Sequence, residues 1–193
     1  MRIVGIDPAI RHTGLCRMDS ETLEVPLLFR EIKPKCYDIL SSCWQLRDGI
    51  IKLFYEWEIV ASETLFVIER QGVGKFSKNE QYHAQFMVFE AINFININYV
   101  KPPSVILPYP SQLKHYMKSI SVNVESKKTI TQDIKGFIGN TDKVFSSHMA
   151  EAYCLARMGR AIFNGKWMVI RPPKEMPVIP ENWNWKFGQQ LLT

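Results

Sequence analysis

Four residues of the chain are of types that can bind divalent metal ions, and each lies at or near the end of a predicted strand or helix. Asp7 ends an apolar run of strand-forming residues, and Glu69 ends a second one. His148 and Glu151 are three residues apart in a predicted helix, so they share a face and can point at one site. This ligand set suits two divalent cations about 4 Å apart, which activate water and stabilise the leaving oxygen in phosphodiester cleavage. Mg²⁺ prefers oxygen ligands, and the single imidazole indicates that Mn²⁺ also serves.

Each of these residues also has an ordinary structural explanation. Asp7 could hydrogen-bond its own backbone in a turn, and His148 could make local hydrogen bonds at the start of its helix. Glu69 could pair with a neighbouring cation, and Glu151 could be an ordinary helix acid. Each alternative is reasonable for one residue, and the coincidence of all four favours the metal site.

The hydrophobic pattern predicts elements that would bring the acids together. Apolar runs and helical periodicity predict strands at about residues 2–7, 14–18, 25–32, 64–70 and 105–107, and helices at about 37–60, 80–97, 111–118, 126–137 and 146–163. The first three strands follow one another through short turns, which favours an antiparallel meander. The predicted fold is therefore α/β, a mixed five-stranded sheet of a three-strand antiparallel meander plus parallel strands, flanked by helices. Asp7 and Glu69 fall at the carboxyl ends of strands, where such sheets bind ligands.

The composition excludes several classes of protein. A chain of 193 residues with 46% hydrophobic and 22% charged residues is an ordinary globular protein and not a disordered or fibrous one. The net charge of +5 favours an acidic partner, most commonly nucleic acid. The four cysteines lack paired spacing and are predicted to be free thiols in a reducing compartment. With no signal peptide and no apolar stretch long enough for a membrane span, we expect a soluble, intracellular protein with no membrane partner.

Three motifs resemble those of RuvC-type Holliday junction resolvases, which are members of the ribonuclease H-like superfamily. The first is Gly5-Ile-Asp-Pro8 followed by Arg11, Thr13 and Gly14, with Ala9 where the family usually has glycine. The second is Val67-Ile-Glu69 and the loop that contains Lys78 and Asn79. The third is His148-Met-Ala-Glu151-Ala152, with Glu151 where the family usually has aspartate. The motifs span about residues 3 to 160 in the order typical of the family.

The resemblance implies an activity and a set of partners. It implies a metal-dependent, structure-selective DNA endonuclease that resolves four-way junctions by paired symmetric nicks and leaves 5′-phosphate and 3′-hydroxyl ends. Asp7, Glu69, His148 and Glu151 would hold two Mg²⁺ ions, with Mn²⁺ also expected to support activity. The implied partners are branched DNA and a second copy of the chain in a homodimer. A compact enzyme of this type would suit a phage and the cytoplasm of its bacterial host.

The resemblance also assigns residues that would contact DNA. Lys114 and Lys127 match lysines that in the family approach the scissile region and the DNA backbone, and we predict that they are catalytic. The residues expected to bind DNA are Arg11, Lys75, Phe76, Lys78, Asn79 and Lys128. Lys114 and Lys127 could each instead belong to a solvated helix face. Phe76 could stack on a base at the crossover or pack under its own loop.

Three further expectations concern the organisation of the chain. Residues 1–165 are expected to form the ribonuclease H-like nuclease domain, and residues 166–193 a C-terminal extension rich in proline and tryptophan. The apolar helix around Phe86, Phe89 and Phe94 is the candidate dimer interface, unless these residues pack on the sheet of their own chain.

Two alternative functions stay open. One is a debranching endonuclease for flaps, forks and Y-shaped DNA, and the other is a non-catalytic junction-binding protein.

Overall fold

The structure is a computed structural model and describes residues 1–20, 27–36, 38–70, 79–97, 102–139 and 145–167. Its strands are β1 (Arg2–Asp7), β2 (Thr13–Asp19), β3 (Leu28–Ile32), β4 (Thr64–Ile68) and β5 (Ser104–Ile106). Its helices are α1 (Ile39–Glu56), α2 (Asn79–Asn96), α3 (Pro110–Ser119), α4 (Lys127–Ile138) and α5 (Ser147–Phe163), with a 3₁₀ turn at Ala61–Glu63.

The strands form one mixed sheet in the order β3-β2-β1-β4-β5. β1 pairs antiparallel with β2 and parallel with β4, β2 pairs antiparallel with β3, and β4 pairs parallel with β5. The predicted five-stranded α/β architecture is therefore confirmed, and the predicted bounds differ by a few residues. α1 stops at Glu56 and not near residue 60, because Glu58 adopts a left-handed backbone with φ of 51°.

Helices cover both faces of the sheet. α1 and α2 pack on one face, where Val4 and Ile6 of β1 are buried. α3, α4 and α5 pack on the other face, where Ile3 of β1 and Cys16 of β2 are buried. A central strand buried on both faces reads as a continuous apolar run, which is why β1 was visible in the sequence. All four cysteines are free thiols, as predicted.

Two glycines allow α5 to lie directly on β1 and β2. A Cβ atom added to Gly5 would lie 2.1 Å from the carbonyl oxygen of Ala152, and one added to Gly14 would lie 2.1 Å from the carbonyl oxygen of His148. Real Cβ atoms do not approach backbone so closely, so any side chain at either position would push the helix away. The absence of these two side chains therefore sets the height of α5 above the sheet.

Part of the predicted C-terminal extension lies in the described residues. Trp167 packs edge-on against Tyr116 of α3, with ring centroids 5.3 Å apart. The start of the extension thus contacts the core of the preceding domain, while residues 168–193 lie outside the described ranges. The boundary at residue 165 stays a prediction. None of the described helices combines the length and apolar composition needed to cross a membrane.

Candidate metal centre

The sheet brings Asp7 and Glu69 to the same edge. Asp7 is the last residue of β1, and Glu69 directly follows the parallel strand β4. The backbone N–H of Glu69 donates to the carbonyl of Ile6 at 3.1 Å, which continues the β1–β4 ladder by one residue. The two carboxylates are neighbours because parallel strands end at the same edge.

The first two turns of α5 add the imidazole and the third carboxylate. Ser146 caps this helix by accepting a hydrogen bond from the N–H of Met149 at 3.3 Å, so His148 and Glu151 lie in its first two turns. Nδ1 of His148 lies 2.6 Å from Oδ2 of Asp7. Ligand atoms of Asp7, His148 and Glu151 all lie within 4.8 Å of one another, so these three residues could hold a metal ion.

The turn after Asp7 is closed by a side chain. The hydroxyl of Thr13 donates to the carbonyl of Ala9 at 2.7 Å and accepts from the N–H of Ala9 at 3.1 Å. The N–H of His12 also donates to the carbonyl of Ala9 at 3.2 Å. These bonds hold the chain after Asp7 in a compact turn that leads directly into β2.

Burial and mutual repulsion raise the pKa values of the two strand-end carboxyl groups. Burial, then the charge of Glu151, raises the pKa of Asp7 well above its usual range. Burial, the charges of Asp7 and Glu151, and a hydrogen bond with Asp7 together raise the pKa of Glu69 to about 8. Burial and the nearby Lys127 lower the pKa of His148, which favours the neutral form of its imidazole.

The donor set fits divalent metal ions. Burying ionised carboxylates side by side destabilises the folded state unless a cation compensates their charge. A neutral imidazole can donate a lone pair to a metal, whereas a protonated one cannot. Asp7, Glu69, His148 and Glu151 thus combine crowded carboxylates, which suit Mg²⁺ or Mn²⁺, with one imidazole, which suits Mn²⁺.

Because the pKa values of Asp7 and Glu69 are raised, we expect the stability of the protein to depend on pH when divalent ions are removed. The raised pKa of Glu69 means that the folded state binds its proton more tightly than the unfolded chain does. Protonation of Glu69 therefore contributes fully to the free energy of unfolding below about pH 4.5, and this contribution is lost as the pH rises to about 8. In EDTA, the temperature of the unfolding midpoint should therefore decrease as the pH is raised from 5 to 8.5. Glu69→Gln should flatten this slope, and a wild-type midpoint that stays constant over the range would contradict the assignment.

The two candidate catalytic lysines occupy different surroundings. Nζ of Lys127 lies 3.3 Å from Oε2 of Glu151, and its charge acts on the pKa values of Asp7, Glu69 and His148. Lys114 is exposed on α3, and its charge is not among those with the largest effects on these groups. The structure therefore brings Lys127 to the acids and leaves Lys114 on the surface.

The residues expected to bind DNA are described only in part. Arg11 is engaged within the protein, because its guanidinium donates to the carbonyl of Cys36 and to the hydroxyl of Ser42 at 3.1 Å. Lys128 is exposed in the first turn of α4. Asn79 begins α2, and Lys75, Phe76 and Lys78 lie outside the described residues. Contact of these residues with DNA stays a prediction.

Sequence reasoning missed two residues at this edge. His12 stacks on His148 with ring planes 7° apart, and Glu31 of β3 lies 3.1 Å from Nδ1 of His12. Glu31 pairs with Gly14 in the β2–β3 register, and Gly14 pairs with Asp7. The available signal was a charged residue on the inner face of a strand, but the register that aligns it with Asp7 is not readable from a single sequence.

Comparison with solved structures identifies proteins of similar fold. RuvC of Thermus thermophilus matches with a TM-score of 0.60 and 19% identity over 86% of this chain and 98% of that one. T. thermophilus RuvC in complex with a Holliday junction substrate matches with a TM-score of 0.59 and 18% identity over 86% and 97%. No family model matches the sequence, and no curated protein matches it either. The structural likeness shows that this chain shares the mixed α/β fold of RuvC.

Proposed function

We propose that this protein is a metal-dependent endonuclease that cleaves branched DNA, with the four-way junction as its preferred substrate. The observation that carries the proposal is the convergence of Asp7, Glu69, His148 and Glu151 at one edge of a ribonuclease H-like sheet. Each acid comes from a different part of the chain. Burying them together is costly unless a cation compensates their charge, so their convergence indicates a metal-binding function. A structure of T. thermophilus RuvC, which has a similar fold, contains a Holliday junction substrate. This supports a four-way junction as the substrate that we propose.

The four residues would hold two divalent ions, Mg²⁺ or Mn²⁺, which when bound activate water and stabilise the leaving oxygen. The buried carboxylate of Asp7 is kept in place by its contact with His148. Lys127 provides a positive charge beside Glu151 and can neutralise a phosphate. Attack of water on phosphorus would form the new P–O bond and release a proton from that water, while the bond to the 3′ oxygen breaks and that oxygen takes up a proton. The products are 5′-phosphate and 3′-hydroxyl ends.

The start of α4 supports phosphate binding near the acids. Lys127 and Lys128 occupy the first turn of this helix, which contains no acidic residue. A helix N-terminus carries a partial positive charge, so two lysines there favour an anionic partner in addition to Glu151, which pairs with Lys127. A DNA phosphate would supply that partner.

Substitution of these two adjacent lysines should have different effects. Lys127→Ala should lower the single-turnover cleavage rate at saturating junction about 10- to 100-fold, because a charge close to the reacting phosphate is lost. Lys128→Ala should weaken junction binding mainly at low salt and reduce the steepness of the salt dependence by about one unit. Rapid-quench cleavage and binding titrations at several salt concentrations would measure both effects. Equal effects of the two variants on the cleavage rate would contradict the specific placement of Lys127.

We also propose that the protein acts as a homodimer through the surface formed by α1 and α2. Phe86 and Phe94 of the predicted interface are 51% and 43% exposed, whereas Phe89 packs against the core of its own chain. Trp44 of α1 is 54% exposed, and the guanidinium of Arg47 lies 5.1 Å from the ring centre of Phe94. Exposed aromatic residues of this density are typical of an interaction surface. Sedimentation of Phe86→Glu and Phe94→Glu should yield monomers from a dimeric wild type.

The function is tested by cleavage of a synthetic four-way junction, a fork, a flap and an RNA–DNA hybrid, each with Mg²⁺ or Mn²⁺. Paired symmetric nicks in the junction, at rates well above those for the other substrates, would establish a resolvase. Similar rates on junction, fork and flap would instead establish a general debranching endonuclease. Tight junction binding without cleavage under either metal would overturn the proposed catalysis and identify a non-catalytic binding protein.

A further inference from the structure

A histidine outside the four predicted ligands packs against the candidate metal centre. His12 lies in the turn between β1 and β2, and its ring is stacked on that of His148 with centroids 5.7 Å apart and planes 7° apart. The side chain of His12 is 49% exposed. It therefore contacts a predicted ligand from a position that is also open to solvent.

A buried carboxylate keeps His12 in this position. Oε1 of Glu31 lies 3.1 Å from Nδ1 of His12, and the Glu31 side chain is only 4% exposed. Nζ of Lys33 lies 2.8 Å from the other carboxylate oxygen of Glu31. Burial alone would raise the pKa of Glu31, but hydrogen bonds from Lys33 and His12 lower it. Glu31 is thus a charged, fixed acceptor for one ring nitrogen of His12.

The register of the sheet explains why this pair reaches His148. Asp7 lies opposite Gly14, and Gly14 lies opposite Glu31, so the two carboxylates are aligned across β1, β2 and β3. Gly14 places no side chain between them, and the backbone of His148 occupies that space. Within the described residues, the His148 ring is contacted by Asp7 at its edge and by His12 on its face.

We infer that His12, held by Glu31, is a positioning residue that fixes the plane of the His148 ring and so sets the affinity of the centre for Mn²⁺. The inference rests on the proposed function only in taking His148 as a metal ligand. Hydrogen-bond partners that orient a ligating histidine typically change metal affinity 10- to 100-fold when they are removed, and we expect a stacked ring to act at the lower end of that range. Because the contact is a ring stack, the aromatic face of His12 is the part that matters.

Mn²⁺ binding to the full-length protein in the absence of DNA tests this role. Free Mn²⁺ is followed by electron paramagnetic resonance, and coupling of bound Mn²⁺ to ¹⁴N by the pulsed form of the method. His12→Gln removes the ring and keeps a polar partner for Glu31, whereas His12→Phe keeps the ring and loses that partner. His115→Gln, on the exposed side of α3, is the matched control. Because His12 is half exposed, none of these changes should unfold the chain, which circular dichroism would verify.

The expected result is about tenfold weaker Mn²⁺ binding with reduced ¹⁴N coupling in His12→Gln, a clearly smaller loss in His12→Phe, which keeps the stacked ring without its Glu31 contact, and wild-type behaviour in His115→Gln. Wild-type affinity and coupling in His12→Gln would overturn the inference, as would equal losses in His12→Gln and His12→Phe. A wild-type protein that binds no Mn²⁺ would overturn the metal centre and this inference with it. If the His12 effects are found but no DNA substrate is cleaved, the proposed nuclease function fails and the positioning role stands.

Discussion

Asp7→Asn should abolish cleavage of a four-way junction while leaving junction binding within a few-fold of wild type. Asn has nearly the same shape as Asp but no negative charge, and Asp7 lies at the centre of the acidic group, in contact with His148 and interacting with Glu69. Loss of a proposed metal ligand should lower the cleavage rate about a thousandfold or more, which corresponds to about 4 kcal/mol of activation free energy. Cleavage rates at saturating enzyme and binding isotherms for the same junction would measure the two quantities separately.

The same substitution should also stabilise the protein in EDTA. Asp7 is buried, and burial and the charge of Glu151 disfavour its ionised form, so removal of the charge relieves repulsion in the folded state. The unfolding midpoint of Asp7→Asn at pH 8 should therefore exceed that of wild type. Asp48→Asn is the control, because Asp48 is exposed on α1 and pairs with Arg47, and it should change neither cleavage nor the midpoint. A fully active Asp7→Asn enzyme would remove Asp7 from the catalytic centre.

Gly14→Ala should have the second large effect, on both stability and activity. The new methyl group would lie 2.1 Å from the carbonyl oxygen of His148, and backbone cannot move aside as a flexible side chain can. The chain must shift α5 or distort β2, at a cost of about 3 kcal/mol. A displaced α5 also moves His148 and Glu151 away from Asp7, so we expect at least a hundredfold loss of cleavage. Urea unfolding and cleavage rates would report the two losses.

Gly136→Ala is the matched control for this prediction. Gly136 lies inside α4, and a Cβ atom there would have no neighbour within 4 Å. Alanine is favoured over glycine in a helix by about 0.5–1 kcal/mol, so this variant should be slightly more stable than wild type and equally active. A Gly14→Ala protein with wild-type stability would contradict the close contact between α5 and β2.

The sequence by itself determined the elements, the class of sheet and the identity of the acidic residues. The apolar run of β1 and the helical periodicity of α1 and α5 reflect burial, which is a local property of each segment. Placing Asp7 and Glu69 at one edge required only that parallel strands end together. Placing His148 beside Glu151 required only the helical repeat.

Only the tertiary structure decided which distant groups contact one another. The 2.6 Å contact between His148 and Asp7 joins residues 141 positions apart, and it depends on how closely α5 approaches the sheet at Gly14. The choice of Lys127 over Lys114 as the lysine near the acids depends on the packing of α4 against α5. The stack of His12 on His148 depends on the β2–β3 register, which brings Glu31 opposite Gly14. Periodicity encodes which face of an element is buried, but the height, angle and register at which elements meet arise from the packing of side chains across them.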